Sequence, residues 1–218
     1  MRITLSSGTP AALAKADGEA VMGLVIAPDI FGLRPLFDDM VDRIATEQHM
    51  TVCAPEPFPA QDLPLDVEAR YPAVAELRDE LVLRDLVEAA DATSAERVGL
   101  VGFCMGGMYA LKAAALGRFD RIVSFYGMIR LPEVWRGDNH GEPLDFVARP
   151  GASAVLAIVG GRDPYTPPTD VAALEFAGAT VVRYPDADHG FVHDASRPHH
   201  RVDDAADAWE RAWAFLRG

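Results

Sequence analysis

Residues Val98-Gly99-Leu100-Val101-Gly102-Phe103 form an apolar, strand-like run that passes through Cys104 directly into the helix-forming Met105-Gly106-Gly107-Met108-Tyr109-Ala110-Leu111. Few backbones accept so abrupt a change of period. The turn between a buried strand and a helix must be sharp, and the residue at its apex is forced into a strained conformation. Gly102 and Gly106 flank Cys104 in a Gly-x-Cys-x-Gly pattern and leave room for strand and helix to approach. The same geometry lifts the sulfur above a sheet and puts the Met105 N–H at a helix N-terminus, where negative charge is favoured. Cys104 is therefore a candidate nucleophile. Taken alone, the pattern fits equally well an ordinary strand-to-helix turn that holds a small, inert, buried cysteine.

The rest of the chain supplies the frame for such a turn. Residues 21–27 are an apolar run that stops at Pro28, as a buried parallel strand does. Leu36, Phe37, Met40, Val41 and Ile44 follow Pro35 at helical spacing, with Asp38, Asp39 and Asp42 facing away. A strand is expected at 51–54, a proline-rich loop at 55–64, and a helix at about 72–90 carrying Leu77, Leu81 and Leu86. Further strands are expected at 121–126, 154–159 and 180–184. Helices are expected at 171–177 and 202–216, the last with Trp209, Trp213 and Leu216 on its apolar side. Strands alternating with helices predict an α/β fold, a doubly wound, mostly parallel sheet with helices on both faces. One segment, 127–150, breaks the rhythm with Trp135 and the polar run 136–142; a flap over the site and a solvated excursion both fit it.

Composition bounds the rest. The chain has 218 residues, half of them hydrophobic, and suits a single domain over 1–218. No apolar run is long enough to span a bilayer, and no secretory leader is expected at the N-terminus. Two cysteines give no disulfide framework; Cys53 reads as a buried strand end, and a reducing cytoplasm is the expected setting. The net charge of −13 argues against nucleic acid and anionic membrane as partners, while leaving room for a small anionic substrate held by a local arginine. His193, His199 and His200 match no strong zinc spacing, so no metal is expected. Glycines 102, 106 and 107 are no dinucleotide fingerprint, so no cofactor is expected either.

Open α/β sheets place chemistry beyond the carboxyl ends of their strands. Cys104 follows one strand, Asp163 follows the next-but-one in Gly160-Gly161-Arg162-Asp163, and His189 follows the last in Asp188-His189-Gly190-Phe191. The order nucleophile, acid, histidine is that of the α/β-hydrolases. A free thiol has a pKa near 8.5, so a histidine is needed to take its proton at neutral pH, and a carboxylate to fix that histidine's tautomer. Singly, Asp163 fits a turn residue before proline and His189 a satisfied loop histidine; the three together fit a triad.

The chain resembles the dienelactone hydrolase family along nearly its whole length. The resemblance rests on Val25-Ile26-Ala27-Pro28-Asp29-Ile30-Phe31-Gly32, Gly102-Phe103-Cys104-Met105-Gly106-Gly107, Tyr126-Gly127, Gly160-Gly161-Arg162-Asp163 and His189-Gly190-Phe191. It implies an α/β-hydrolase fold, a Cys104–Asp163–His189 triad, and an oxyanion hole from the backbone N–H groups of Ile30 and Met105. It also implies an enol-lactone substrate bearing a carboxylate, and help in thiol activation from a glutamate in the Ile-Phe-Gly loop. Asp29 fills that glutamate's position, one methylene shorter. The arginine expected a few residues after the catalytic histidine is absent, and His193 stands near its place. Arg70 is a candidate second anion contact, and Phe31, Tyr126, Phe191 and Trp135 are candidate substrate contacts. The expected protein is a monomer or small homo-oligomer, free of cofactors, that cleaves a small ester or lactone through a thioester. A broad esterase or thioesterase, and a small-molecule binder or redox-sensitive thiol protein on the same fold, are the alternatives.

Overall fold

The structure, a computed structural model, describes residues 1–61 and 63–218. Its sheet is built from β1 (Arg2–Thr4), β2 (Pro10–Ala14), β3 (Gly23–Ala27), β4 (Thr51–Pro55), β5 (Val98–Phe103), β6 (Arg121–Phe125), β7 (Ala154–Gly160) and β8 (Thr180–Tyr184), in the order β1-β2-β4-β3-β5-β6-β7-β8. Strands β3 to β8 run parallel to one another. Each residue of β3, β4 and β5 is buried, the state that lets a parallel strand read as an unbroken apolar run. The β1–β2 hairpin, not foreseen in the sequence, adds an antiparallel edge to β4. Its first strand is three residues of alternating exposure, too short to leave a period.

Helices cover both faces. On one side α1 (Pro35–Gln48) and α7 (Val202–Arg217) pack Phe37, Ile44, Ala208 and Leu216 against the sheet. On the other lie α2 (Val67–Ala73), α3 (Asp79–Ala92), α4 (Met105–Ala113), α5 (Pro143–Val147) and α6 (Pro168–Phe176), contributing Leu86, Leu111, Val147 and Leu174. This is the doubly wound α/β architecture that the alternating pattern predicts. No helix among the described residues is long and apolar enough to cross a membrane.

The expected helix at 72–90 is two helices. Pro72 lies inside α2 and cannot donate to the helical ladder, so the chain tightens into a 3-10 turn at Val74–Glu76 and extends at Leu77 and Arg78 before α3 begins. Segment 127–150 is anchored at several points. It holds a 3-10 turn at Glu133–Trp135 and then α5, and the fully buried Trp135 donates its indole N–H to the Tyr71 carbonyl at 2.8 Å. Farther along, the Gly141 N–H donates to Asp79 Oδ2 at 2.8 Å, while the wholly buried Lys112 meets Asp79 Oδ1 at 2.6 Å. A charge taken out of water survives only when paired in this way.

Candidate active site

The sheet reverses its winding between β3 and β5, so a crevice opens where their carboxyl ends part. Cys104 stands on one side of it. Its backbone sits at φ 55, ψ −118, held by an N–H···O=C bond to Phe125 at 3.0 Å. A Cβ on Gly102 would lie 2.1 Å from the Gly106 carbonyl oxygen, and one on Gly106 would lie 2.1 Å from that of Ala27. Only glycine fits at both positions, and this fixes Cys104 at the apex of the strand-to-helix turn.

Asp163 follows β7, and His189 follows β8. Asp163 is buried; its Oδ1 accepts the Tyr165 N–H at 2.8 Å, and its Oδ2 lies 2.8 Å from His189 Nδ1. A carboxylate only accepts, so His189 carries its proton on Nδ1 and turns Nε2 to the cleft as the basic atom. Nε2 is buried with no hydrogen-bond partner among the described residues. The rings of Tyr126 and Tyr165 pack edge-on against the imidazole, 5.2 and 4.9 Å between centroids. Burial alone would lower the His189 pKa. Negative charge on Cys104 and the Asp163 carboxylate outweigh it and raise it to about 10.

The loop after β3 faces Cys104 across the crevice, and there Asp29 is fully engaged. Arg34 grips it with both guanidinium nitrogens, Nη1 to Oδ1 at 2.6 Å and Nη2 to Oδ2 at 2.9 Å. His193 Nε2 adds a bond to Oδ2 at 2.8 Å, which leaves His193 Nδ1 to accept from the Tyr126 hydroxyl at 2.5 Å. Burial would raise the Asp29 pKa; His193 and Arg34 hold it well below the usual carboxylate range.

A cleft of about 380 Å³ joins these parts. Of the residues singled out in the sequence, Asp29, Ile30, Phe31, Cys104, Trp135, His189 and His193 line it. Asp163 stands behind His189, and Met105 is buried at the start of α4. Three expected substrate contacts lie elsewhere. Tyr126 and Phe191 are fully buried, packed on each other with centroids 5.7 Å apart. Arg70 is neither in a loop nor at the surface: it is buried in α2, and its guanidinium donates to the carbonyls of Pro64, Leu63 and Ile30. Sequence reasoning missed Tyr71, Met128, Tyr165, Arg197 and His199, which also line the cleft. Tyr165 alone left a signal, two residues after Asp163 in a turn that the carboxylate closes.

A model of the dienelactone hydrolase family matches residues 9–218. The chain belongs to the dienelactone hydrolase family. Among its relatives is a Salmonella typhimurium protein named "Putative carboxymethylenebutenolidase", 31% identical over 214 residues, covering 90% of this chain and 77% of that protein. A Bradyrhizobium protein named "Probable 2-oxo-3-(5-oxofuran-2-ylidene)propanoate lactonase" is 30% identical, covering 89% of this chain and 82% of its own. A crystal structure described as that of a "Putative Dienelactone Hydrolase" from Klebsiella pneumoniae superposes with a TM-score of 0.84 at 27% identity, covering 99% of this chain and 97% of that one. The protein is a hydrolase of the dienelactone hydrolase type.

Proposed function

We propose that this dienelactone hydrolase family member cleaves a small ester or enol-lactone through a thioester on Cys104. One observation carries the reading: an elbow cysteine shares a cleft with a histidine whose Nδ1 is fixed by a buried carboxylate and whose Nε2 is uncommitted. His189 Nε2 takes the thiol proton, and the sulfur attacks the carbonyl carbon. The Ile30 and Met105 N–H groups hold the oxyanion, a role in which one donor is worth roughly 10²–10³ in rate. The tetrahedral adduct collapses, and the alkoxide or enolate leaves with the proton returned by His189.

Acylation then retunes the histidine. The negative charge on Cys104 opposes the burial of His189, and a thioester sulfur carries none. Burial thus regains weight and the imidazole becomes neutral, the form that removes a proton from water for deacylation. No metal or organic cofactor enters any of these steps.

A lactone substrate is supported by the name of the Bradyrhizobium relative. A second reading, a neutral aryl ester, is favoured by the state of the arginines. Arg34 is spent on Asp29 and Arg70 on carbonyls, while Arg197 lies on the Phe31 ring, 4.8 Å from its centroid. The rate ratio for a carboxylate-bearing lactone against p-nitrophenyl acetate separates the two. Mass spectrometry after mixing with p-nitrophenyl acetate tests the mechanism itself. One acetyl group on Cys104 is expected, with no adduct and no turnover in Cys104→Ala; undiminished hydrolysis by that variant refutes the reading.

A further inference from the structure

The loop at 28–34 is held by more charge than a surface turn requires. The peptide group joining Ile30 to Phe31 is fixed at both poles: its C=O accepts from Arg70 Nη1 at 3.2 Å, and its N–H donates to Asp29 Oδ1 at 2.9 Å. Arg34 locks Asp29 in a two-pronged ion pair and also reaches the Gly32 carbonyl at 3.3 Å. Gly32 turns the chain at φ +67, which folds Arg34 back over Asp29, and Glu56 accepts the Leu33 N–H at 2.8 Å. The Ile30 N–H, by contrast, is taken by no other group among the described residues.

We infer that Arg34 and Arg70 are positioning residues that aim the Ile30 N–H at the substrate oxygen, and that Asp29 serves this frame and not the thiol. The inference rests on the Cys104 acyl-enzyme reading. A donor at a developing oxyanion is effective only within a few tenths of an ångström of its place, and a displacement of about 1 Å costs on the order of 10²-fold. Freeing one N–H while tying down the next peptide at both ends is a direct way to hold that tolerance. Arg70 meets no substrate carboxylate: it is buried, does not line the cleft, and donates from each of its three nitrogens to a carbonyl. Asp29 is equally committed: Arg34, His193 and the Phe31 N–H occupy both its oxygens.

Two reactions of Cys104 separate the roles. Acylation by an ester builds an oxyanion; alkylation by iodoacetamide joins sulfur to carbon, expels iodide and builds none. Arg34→Gln and Arg70→Lys are expected to slow single-turnover acylation roughly 10–100-fold, equally for p-nitrophenyl acetate and a carboxylate-bearing lactone, with little change in the half-saturating concentration. Arg34→Lys should recover part of the loss. Alkylation of Cys104, and its pH profile, should match the native protein in both variants and in Asp29→Asn. Cys53, wholly buried in β4, stays unmodified in a folded variant, so its alkylation marks a lost fold; Arg34→Lys then carries the comparison. A shifted alkylation profile in Asp29→Asn assigns Asp29 to the thiol and overturns the inference. So does a weakened saturation confined to the carboxylate substrate in Arg70→Lys, or native acylation rates in both arginine variants. Failure of the underlying mechanism looks different: native protein whose Cys104 is fully alkylated would still hydrolyse esters.

Discussion

Cys104 holds a backbone conformation, φ 55 and ψ −118, that side chains other than glycine adopt only under strain. Such strain costs about 1–3 kcal/mol. Comparing Cys104→Ala with Cys104→Gly isolates it, since both remove the sulfur and differ by one methyl group. Glycine escapes the strain but loses about 0.5–1 kcal/mol through its freer unfolded chain. The glycine variant should therefore be at least as stable as the alanine variant, by up to about 2.5 kcal/mol, from the difference of those two ranges. For a chain of this size that is a rise in Tm of up to about 10 °C. Ala206, exposed in α7, supplies the control: there alanine to glycine should lower stability by about 0.5–1 kcal/mol. Thermal and urea unfolding of the three variants, with equal urea slopes, gives the comparison. If glycine at 104 is worse than alanine by the full margin seen at 206, the elbow is unstrained and the argument for a sulfur held in place by backbone tension fails.

Three further outcomes follow from the geometry. Asp163→Asn removes one of the groups that raise the His189 pKa to about 10, so the alkaline limb of kcat/KM should move to lower pH; an unmoved limb would separate Asp163 from that proton. Asp79→Asn leaves the wholly buried Lys112 without its counter-charge and should cost about 3–5 kcal/mol in urea unfolding, whereas Asp79→Asn combined with Lys112→Met should recover most of it. Purely additive losses would show that the ion pair does not anchor the 127–150 segment. Gly106→Ala drives a Cβ to 2.1 Å from the Ala27 carbonyl and 2.3 Å from that of Pro28, backbone on both counts; a loss of at least about 3 kcal/mol is expected, and a well-folded active variant would contradict the packing.

What the sequence exposed and what it hid divide along a physical line. Parallel strands buried on both faces must be apolar throughout, so β3 to β7 announce themselves, and the loops after their carboxyl ends mark where chemistry belongs. Cys104 and Asp163 were legible because each stands just beyond such a strand, and His189 because it lies in the loop after β8, the partly exposed strand at the sheet edge. The break between α2 and α3 was harder to see: Leu77, Leu81 and Leu86 suggest one apolar helical face, while Pro72 and the pull of Lys112 and Gly141 on Asp79 act against a continuous helix.

Asp29 shows most clearly why the remainder stayed hidden. A carboxylate beside the nucleophile invites a role in activating the thiol, and its identity alone cannot say which neighbours claim it. Arg34, which claims it, is five residues on, and His193 arrives from beyond β8, while Arg70 reaches the adjoining Ile30 carbonyl from α2. None of these separations matches a helix or strand period, so no pattern rule links them. Arg34 meets Asp29 only because Gly32 takes a positive φ, and Arg70 reaches the Ile30 carbonyl only because α2 packs beneath the loop. An arginine read as a contact for substrate charge thus becomes one that holds peptide dipoles. The same electrostatics that would bind a ligand's carboxylate instead fixes the peptide next to the Ile30 N–H, the donor proposed above for the oxyanion.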